Sequence, residues 1–304
     1  MTQLSFITDG ETQPIVNVAS VPQRSPFRYP GGKTWLVPRV RQWLTSVLRP
    51  AEFIEPFAGG GIISLTVAAE NYADHVTMIE LDEQVAAVWK TIVEGRGEWL
   101  AARILEFELT PESLKEALSK AAPSNQERAF QTILKNRTFH GGILAAGSAP
   151  LKVGENGKGV RSRWYPETLK RRILEIDTFR KQITFIEGDG LKTIEENLHR
   201  TDTVFFIDPP YSAAGKRAGR RLYTCFDLNH EKLFSLLGRI AGDFLMTYEN
   251  AHEIKELAWQ YNFDTEPVSM KNTHHAQMTE LLIGRNLDWA RQLPAKPDYH
   301  FSQK

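Results

Sequence analysis

Cysteine is almost absent from this chain. Its 304 residues include one, Cys225, which excludes an internal disulfide and any cysteine-built metal site and suits the cytosol. Long apolar runs are also missing: none reaches the roughly 18–20 residues needed to span a bilayer. The opening stretch MTQLSFITDGETQPIV lacks the basic and apolar regions of a secretion signal. Net charge is zero, from 37 basic and 37 acidic residues, so no global positive excess marks a nucleic-acid binder. Internal repeats and low-complexity tracts are lacking. No spacing of ligating side chains suggests a metal site, and the adjacent His274 and His275 do not share one face of a helix or strand. What remains is an ordinary globular composition, 41% hydrophobic and 24% charged, in a chain long enough for a large α/β domain with a smaller insertion.

The charge is unevenly spread. Lys216, Arg217, Arg220 and Arg221 lie between Tyr211 and Asp227 with no acidic residue among them. Residues 152–181 hold nine basic residues against Glu155, Glu167, Glu175 and Asp177. Such clusters either raise a local positive field or form solvated faces.

From Ser25 onward short apolar runs alternate with amphipathic segments. Strands are expected at 52–57, 75–80, 183–187, 203–207, 243–248 and 280–284, and helices near 61–70, 83–93, 191–198, 230–240 and 251–260. Near-continuous apolar strands separated by helices predict an α/β fold, a Rossmann-like, doubly wound, mostly parallel sheet. Residues 95–182 break the alternation. They carry helical patterns at 111–120, 126–135 and 166–180, and a glycine-rich piece, HGGILAAGSAPLKVGENGKG, too polar and turn-rich for a core. This reads as a mainly helical insertion bearing a mobile loop or hairpin. The expected organisation is an arm at 1–24, a catalytic domain from 25–94 and 183–290, an insertion at 95–182 and a tail at 291–304.

Four elements carry chemistry. Asp208-Pro209-Pro210-Tyr211 directly follows an apolar strand, and ligands of open α/β sheets bind beyond the carboxyl ends of strands. An aromatic amino group is a poor nucleophile because its lone pair is delocalised into the ring. Accepting its two N–H hydrogens, with the Asp208 carboxylate and the Pro209 carbonyl, restores lone-pair density. The prolines restrict the backbone that presents that carbonyl, and Tyr211 offers a face on which a base can stack. A plain Asp-Pro turn is the other reading of these four residues. The second element, residues 53–61, runs from a strand through Gly59, Gly60 and Gly61 into a helix, allowing close backbone approach to a ligand without the spacing of a pyrophosphate loop. Third, Glu80, with Asp82 behind it, ends the next strand about twenty residues on, where an acid commonly meets ribose hydroxyls. Fourth, Arg28-Tyr29-Pro30-Gly31-Gly32-Lys33-Thr34 lacks phosphate-loop spacing, and its lysine could pair with a carboxylate.

In order, YPGGK at 29–33, EPFAGGG at 55–61, IELD at 79–82 and DPPY at 208–211 resemble the Dam-like DNA adenine-N6 methyltransferases over roughly residues 25–285. The resemblance implies S-adenosylmethionine as cofactor, S-adenosylhomocysteine as product, no metal, and transfer to N6 of a flipped-out adenine in double-stranded DNA. It implies cofactor contacts from Tyr29, Lys33, Phe57, Gly59, Gly61, Glu80, Asp189 and Asp208, with Asp208, Pro209 and Tyr211 catalytic. Tyr29 stands where many relatives have tryptophan, and Glu80 where aspartate is common. The insertion falls where the family places target recognition. There Lys135–Gly142 resembles a DNA-contacting stretch commonly written N-R-x-x-x-N-G, but this chain has His140 and Gly141 before Gly142, so no recognition sequence is carried over. Arg137, Phe139, His140, Arg161 and Arg163 are its expected DNA contacts, and Lys216, Arg217, Arg220 and Arg221 expected phosphate contacts. Phe139 would fill the gap left by the flipped base or sit in the core. A cytoplasmic, bacterial or phage-encoded monomer or weak dimer is the resulting expectation. Methylation of cytosine N4 or RNA, or a non-catalytic DNA-binding role, are the alternatives.

Overall fold

The computed structural model describes residues 21–29, 31–210, 228–271 and 277–291. Seven strands form one sheet: β1 (Glu52–Glu55), β2 (His75–Glu80), β3 (Ile183–Glu187), β4 (Thr203–Ile207), β5 (Asp243–Glu249), β6 (Asp264–Lys271) and β7 (Gln277–Gly284). Their spatial order is β3-β2-β1-β4-β5-β7-β6. The first five strands are mutually parallel, while β7 pairs antiparallel with both β5 and β6. The chain proceeds outward from β1 to β3, then returns to place β4 on the other side of β1. That reversal opens a crevice at the carboxyl ends of β1 and β4, the usual ligand position in such sheets.

Side chains alternate across the strands. Val204 and Phe206 enter one buried cluster and Phe205 and Ile207 the other, so β4 is buried at every residue. Helix α1 (Val37–Ser46) precedes β1, whereas α2 (Ile62–Ala69) follows β1 and α3 (Glu83–Thr91) follows β2. Then come α4 (Gly97–Glu106), α5 (Pro111–Ser119), α6 (Asn125–Thr138) and α7 (Pro166–Phe179). The remaining helices are α8 (Gly190–Glu196), α9 (His230–Arg239), α10 (His252–Gln260) and the short α11 (Asp288–Arg291). Starts follow the local chemistry. The Asp82 side chain accepts from two backbone N–H groups of α3, Thr110 and Ser113 form a capping box on α5, and Ser124 caps α6. Among the described residues no helix is long and apolar enough to cross a membrane.

Several expectations shift. β1 stops at Glu55 because Pro56 has no N–H for the parallel ladder. β6 was not anticipated: its pattern is mixed and contains Pro267, which an edge strand tolerates. Helix α4 was also missed. It continues from α3 through a π-helical turn, Ile92–Arg96, where Gly95 has φ 84°. The glycine-rich piece is not wholly outside the core, since Leu144, Ala145 and Leu151 are buried. Its neck closes like a hairpin, with His140 N–H donating to Ala149 O (3.1 Å) and Leu151 N–H to Thr138 O (2.8 Å). Residues 21–24 belong to the fold: Val21 is buried and Arg24 pairs with Glu70 and Glu175.

Candidate active site

A cavity of about 1340 Å³ fills the crevice between β1 and β4. Its floor is the turn from β1 into α2. Gly59 and Gly61 adopt φ of 46° and 64°, the left-handed region that favours glycine. The space beside them is also closed. A Cβ on Gly59 would stand 2.6 Å from the Tyr29 ring, and one on Gly61 2.6 Å from Met78 Cε. Trp89 Nε1 donates to Gly59 O at 2.8 Å and holds the loop from below.

Glu80, at the end of β2, closes the same turn. Its Oε2 accepts from Gly59 N–H at 2.8 Å, and its Oε1 accepts from Leu81 and Asp82 N–H, each at 2.8 Å. A carboxylate has about four lone-pair positions, so these three bonds leave room for a further donor. Burial pushes its carboxyl up to about 7 in spite of those bonds. Glu55, at the end of β1, accepts from Ser64 N–H at 3.0 Å and from the Ser64 hydroxyl. Burial pushes Glu55 up to about 8, with the negative charges of Asp208 and Glu80 adding to the effect.

Asp208 follows β4 and projects into the cavity rim. Its Oδ1 accepts from Thr247 Oγ1 at 3.0 Å and lies 3.0 Å from Lys33 Nζ. Lys33 is buried, donates to Gly31 O at 3.1 Å and lies 3.5 Å from Glu280 Oε2. Burial by itself would depress the Lys33 ammonium, but the Asp208 and Glu280 carboxylates outweigh it and hold the group above its ordinary range. Pro209 and Pro210 continue the cavity lining. Asp189 is exposed at the cavity edge and caps α8 by accepting from Leu191 N–H at 2.8 Å.

Tyr29, Lys33, Phe57, Gly59, Gly61, Glu80, Asp189, Asp208 and Pro209 therefore share one cavity. Tyr211, Lys216, Arg217, Arg220 and Arg221 lie outside the described residues, as do Cys225, His274 and His275. The expected DNA contacts divide. His140 and Arg163 line the cavity, and Arg163 pairs with Glu155 at 2.9 Å. Arg161 donates to Leu109 O at 2.7 Å. Arg137 is buried within the cavity wall and donates to Pro26 O at 2.7 Å, so it is not a surface probe. Phe139 is buried too, with Lys135 Nζ 5.8 Å from its ring centroid, the packed one of its two expected positions.

Three polar residues at the site had not been singled out: Glu55, Thr247 and Glu280. Glu55 was visible in the glycine motif but fell inside the expected strand 52–57. Glu280 opens an apolar run, and that run is antiparallel, so its first residue falls level with the ends of the parallel strands: Glu280 sits opposite Glu249. Strand direction is not written in a local pattern.

The cavity exceeds the roughly 300–1,000 Å³ usual for small-molecule sites, which leaves room for a nucleoside-sized cofactor and a base together. Its glycine cradle, acid-lined strand end and Lys33–Asp208 pair fit the polar groups of S-adenosylmethionine. Residues 29–268 match the family of D12 class N6 adenine-specific DNA methyltransferases. The chain belongs to this family. The D12 class enzyme is also 24% identical over 224 residues to the Type II methyltransferase M.MjaIII of Methanocaldococcus jannaschii, covering 68% of this chain and 75% of that protein. Among solved structures it is similar to the rRNA methyltransferase aviRa of Streptomyces viridochromogenes (14% identity, 88% of this chain and 90% of that one, TM-score 0.37). Another is the precorrin-6y C5,15-methyltransferase of Geobacter metallireducens GS-15 (9% identity, 81% and 84%, TM-score 0.33). The D12 class enzyme is thus an adenine-specific DNA methyltransferase, with DNA as substrate, and its family implies S-adenosylmethionine as the methyl donor. The expected family and the expected mostly parallel α/β sheet both hold.

Proposed function

We propose that this crevice methylates N6 of an adenine turned out of double-stranded DNA, with Asp208 and Pro209 as the groups that act on the amino nitrogen. The observation that carries the reading is the placement of Asp208 at the end of β4, in one cavity with the glycine turn, its Oδ1 3.0 Å from both Thr247 Oγ1 and Lys33 Nζ.

Bound S-adenosylmethionine supplies an electrophilic methyl group on a sulfonium sulfur. Tyr29, Phe57, Gly59 and Gly61 would hold its methionine portion, with Lys33 and Asp208 facing the charged end. Glu80 would accept from the ribose hydroxyls and Asp189 would border the adenine ring. The Asp208 carboxylate and the Pro209 carbonyl accept the two N6 hydrogens of the target base and return lone-pair density to the nitrogen. Lys33 and Thr247 fix the carboxylate, so the acceptor geometry is set before the base arrives. Tyr211 supplies the stacking face. As the N–CH3 bond forms the S–CH3 bond breaks, and the methylated nitrogen then loses one of its protons to solvent, leaving S-adenosylhomocysteine and N6-methyladenine with neither a metal nor a covalent enzyme intermediate used. An adenine inside a duplex is out of reach, and turning it out costs a few kcal/mol. Phosphate contacts from Lys216, Arg217, Arg220 and Arg221 offset that cost, while His140, Arg161 and Arg163 border the bound duplex. The enzyme works in the cytoplasm, where such DNA is accessible.

The test is methyl transfer from labelled S-adenosylmethionine to unmethylated genomic DNA, with total RNA in parallel and Asp208→Ala as control. N6-methyladenine at one recurring DNA site is expected, with product formation lowered by about 100-fold or more in the variant. Near wild-type turnover by Asp208→Ala, or label confined to RNA or cytosine, would sink the reading.

A further inference from the structure

The cavity has one strongly basic wall. Arg28 comes from the segment preceding the glycine motif, Arg137 from the end of α6, and Arg172 from α7. Their neighbour Arg163 is neutralised by Glu155 at 2.9 Å. Among the described residues, Arg28, Arg137 and Arg172 make no ion pair.

Arg137 is the telling member. It is 5% exposed, and its Nε has no hydrogen-bond partner among the described residues. Burial pushes its guanidinium down to about 9, and the positive charges of Arg172 and Arg28 push in the same direction. Buried charges ordinarily have a counter-charge, because desolvation is otherwise uncompensated. Here the fold adds two more cations instead. Part of the arrangement is structural: Arg172 donates to Ser25 O at 3.0 Å and Arg137 to Pro26 O at 2.7 Å. A guanidinium has five N–H donors, so these ties leave donors over. The Arg28 backbone is held separately, by Asn136 accepting from its N–H at 2.8 Å and donating to its carbonyl at 2.9 Å.

We propose that Arg28, Arg137 and Arg172 form a seat for a DNA phosphodiester flanking the turned-out adenine. The inference rests on the base-flipping reading above. A nucleotide that enters this cavity brings its two backbone phosphates to the walls, and planar guanidinium forks match phosphate oxygens. The seat positions the strand and reads no base. Arg137, an expected DNA contact, thereby becomes a clamp on the DNA backbone.

The test uses duplexes carrying the mapped recognition site, each with a single uncharged methylphosphonate at one phosphate flanking the target adenine. Binding is measured for the wild-type chain and for Arg28→Gln and Arg137→Gln. At one flanking position the wild type should lose about tenfold in affinity. Each variant should lose a similar factor on unmodified DNA and almost nothing further on the methylphosphonate duplex. The slope of log affinity against log salt should fall by about one, with base preference unchanged. Should Arg137→Gln fail to fold, Arg28→Gln decides the matter, because its tie to Asn136 is through the backbone. Additive losses would overturn the proposal. So would a relaxed preference at one base with an unchanged salt slope, or weakened S-adenosylmethionine binding with DNA affinity intact. The binding assay reads affinity and not turnover, so once the site is mapped a failure of the phosphate seat leaves the methylation reading intact.

Discussion

Two buried glutamates make the enzyme's stability sensitive to pH in an unusual direction. Glu55 and Glu80 have carboxyls raised by burial to about 8 and about 7, against about 4.3 in an unfolded chain. Between those values the native state keeps protons that the unfolded state has released. Stability is therefore full below about pH 4.3 as far as these groups are concerned, and it is lost as pH rises through 7 and 8, by up to about 1.4 kcal/mol per pH unit for each group. Acids held below their ordinary range by an arginine, such as Asp264 beside Arg291, act the opposite way but in a more acidic window. Thermal melts should fall from pH 5 to pH 8 and then level. Glu55→Gln, which can still accept from Ser64, should flatten the curve. A slope unchanged in that variant would count against protonated Glu55.

At the level of elements, the turn from β1 into α2 is a tightly constrained piece of the cavity wall. Gly61 has φ 64°, and a Cβ there would meet Met78 at 2.6 Å and Trp89 at 2.9 Å. Met78 lies on β2 and Trp89 on α3, so the strain of a larger side chain would spread to both. Gly61→Ala should destabilise the fold by about 1–3 kcal/mol and weaken S-adenosylmethionine binding, measured by denaturant melts and calorimetric titration. Wild-type stability would show that the turn can relax. The antiparallel strand β7 constrains the other wall, since it alone brings Glu280 to Lys33.

Across the whole molecule, one apolar cluster joins the sheet to the helices of the insertion. Val76 and Met78 of β2 share it with Trp89 of α3, Leu100 of α4, Ile133 of α6 and Ile173 of α7. Helix α6 packs on α3, and α7 on α4. With no linker between α3 and α4 and no separate core, residues 95–182 should not unfold by themselves. Calorimetry should give a single cooperative transition, and a chain lacking 95–182 should lack one. Two resolved transitions in the full chain would show independent units.

The local code of this chain settles most of its elements and its family, though not β6 or α4. Buried strands such as 203–207 announce themselves by continuous apolar residues, caps such as Asp82 by their position before a helix, and the Asp208-Pro209-Pro210-Tyr211 motif by its paired prolines after a strand. All of these depend on neighbours within a few residues. The pairs that complete the site do not. Lys33 meets Asp208 from 175 positions away in sequence and Glu280 from 247. Thr247 reaches Asp208 only because β5 lies beside β4, and three arginines from distant segments converge on one wall. Those contacts depend on strand order and direction, which follow from packing the whole sheet and its helices, so only the folded chain could decide them.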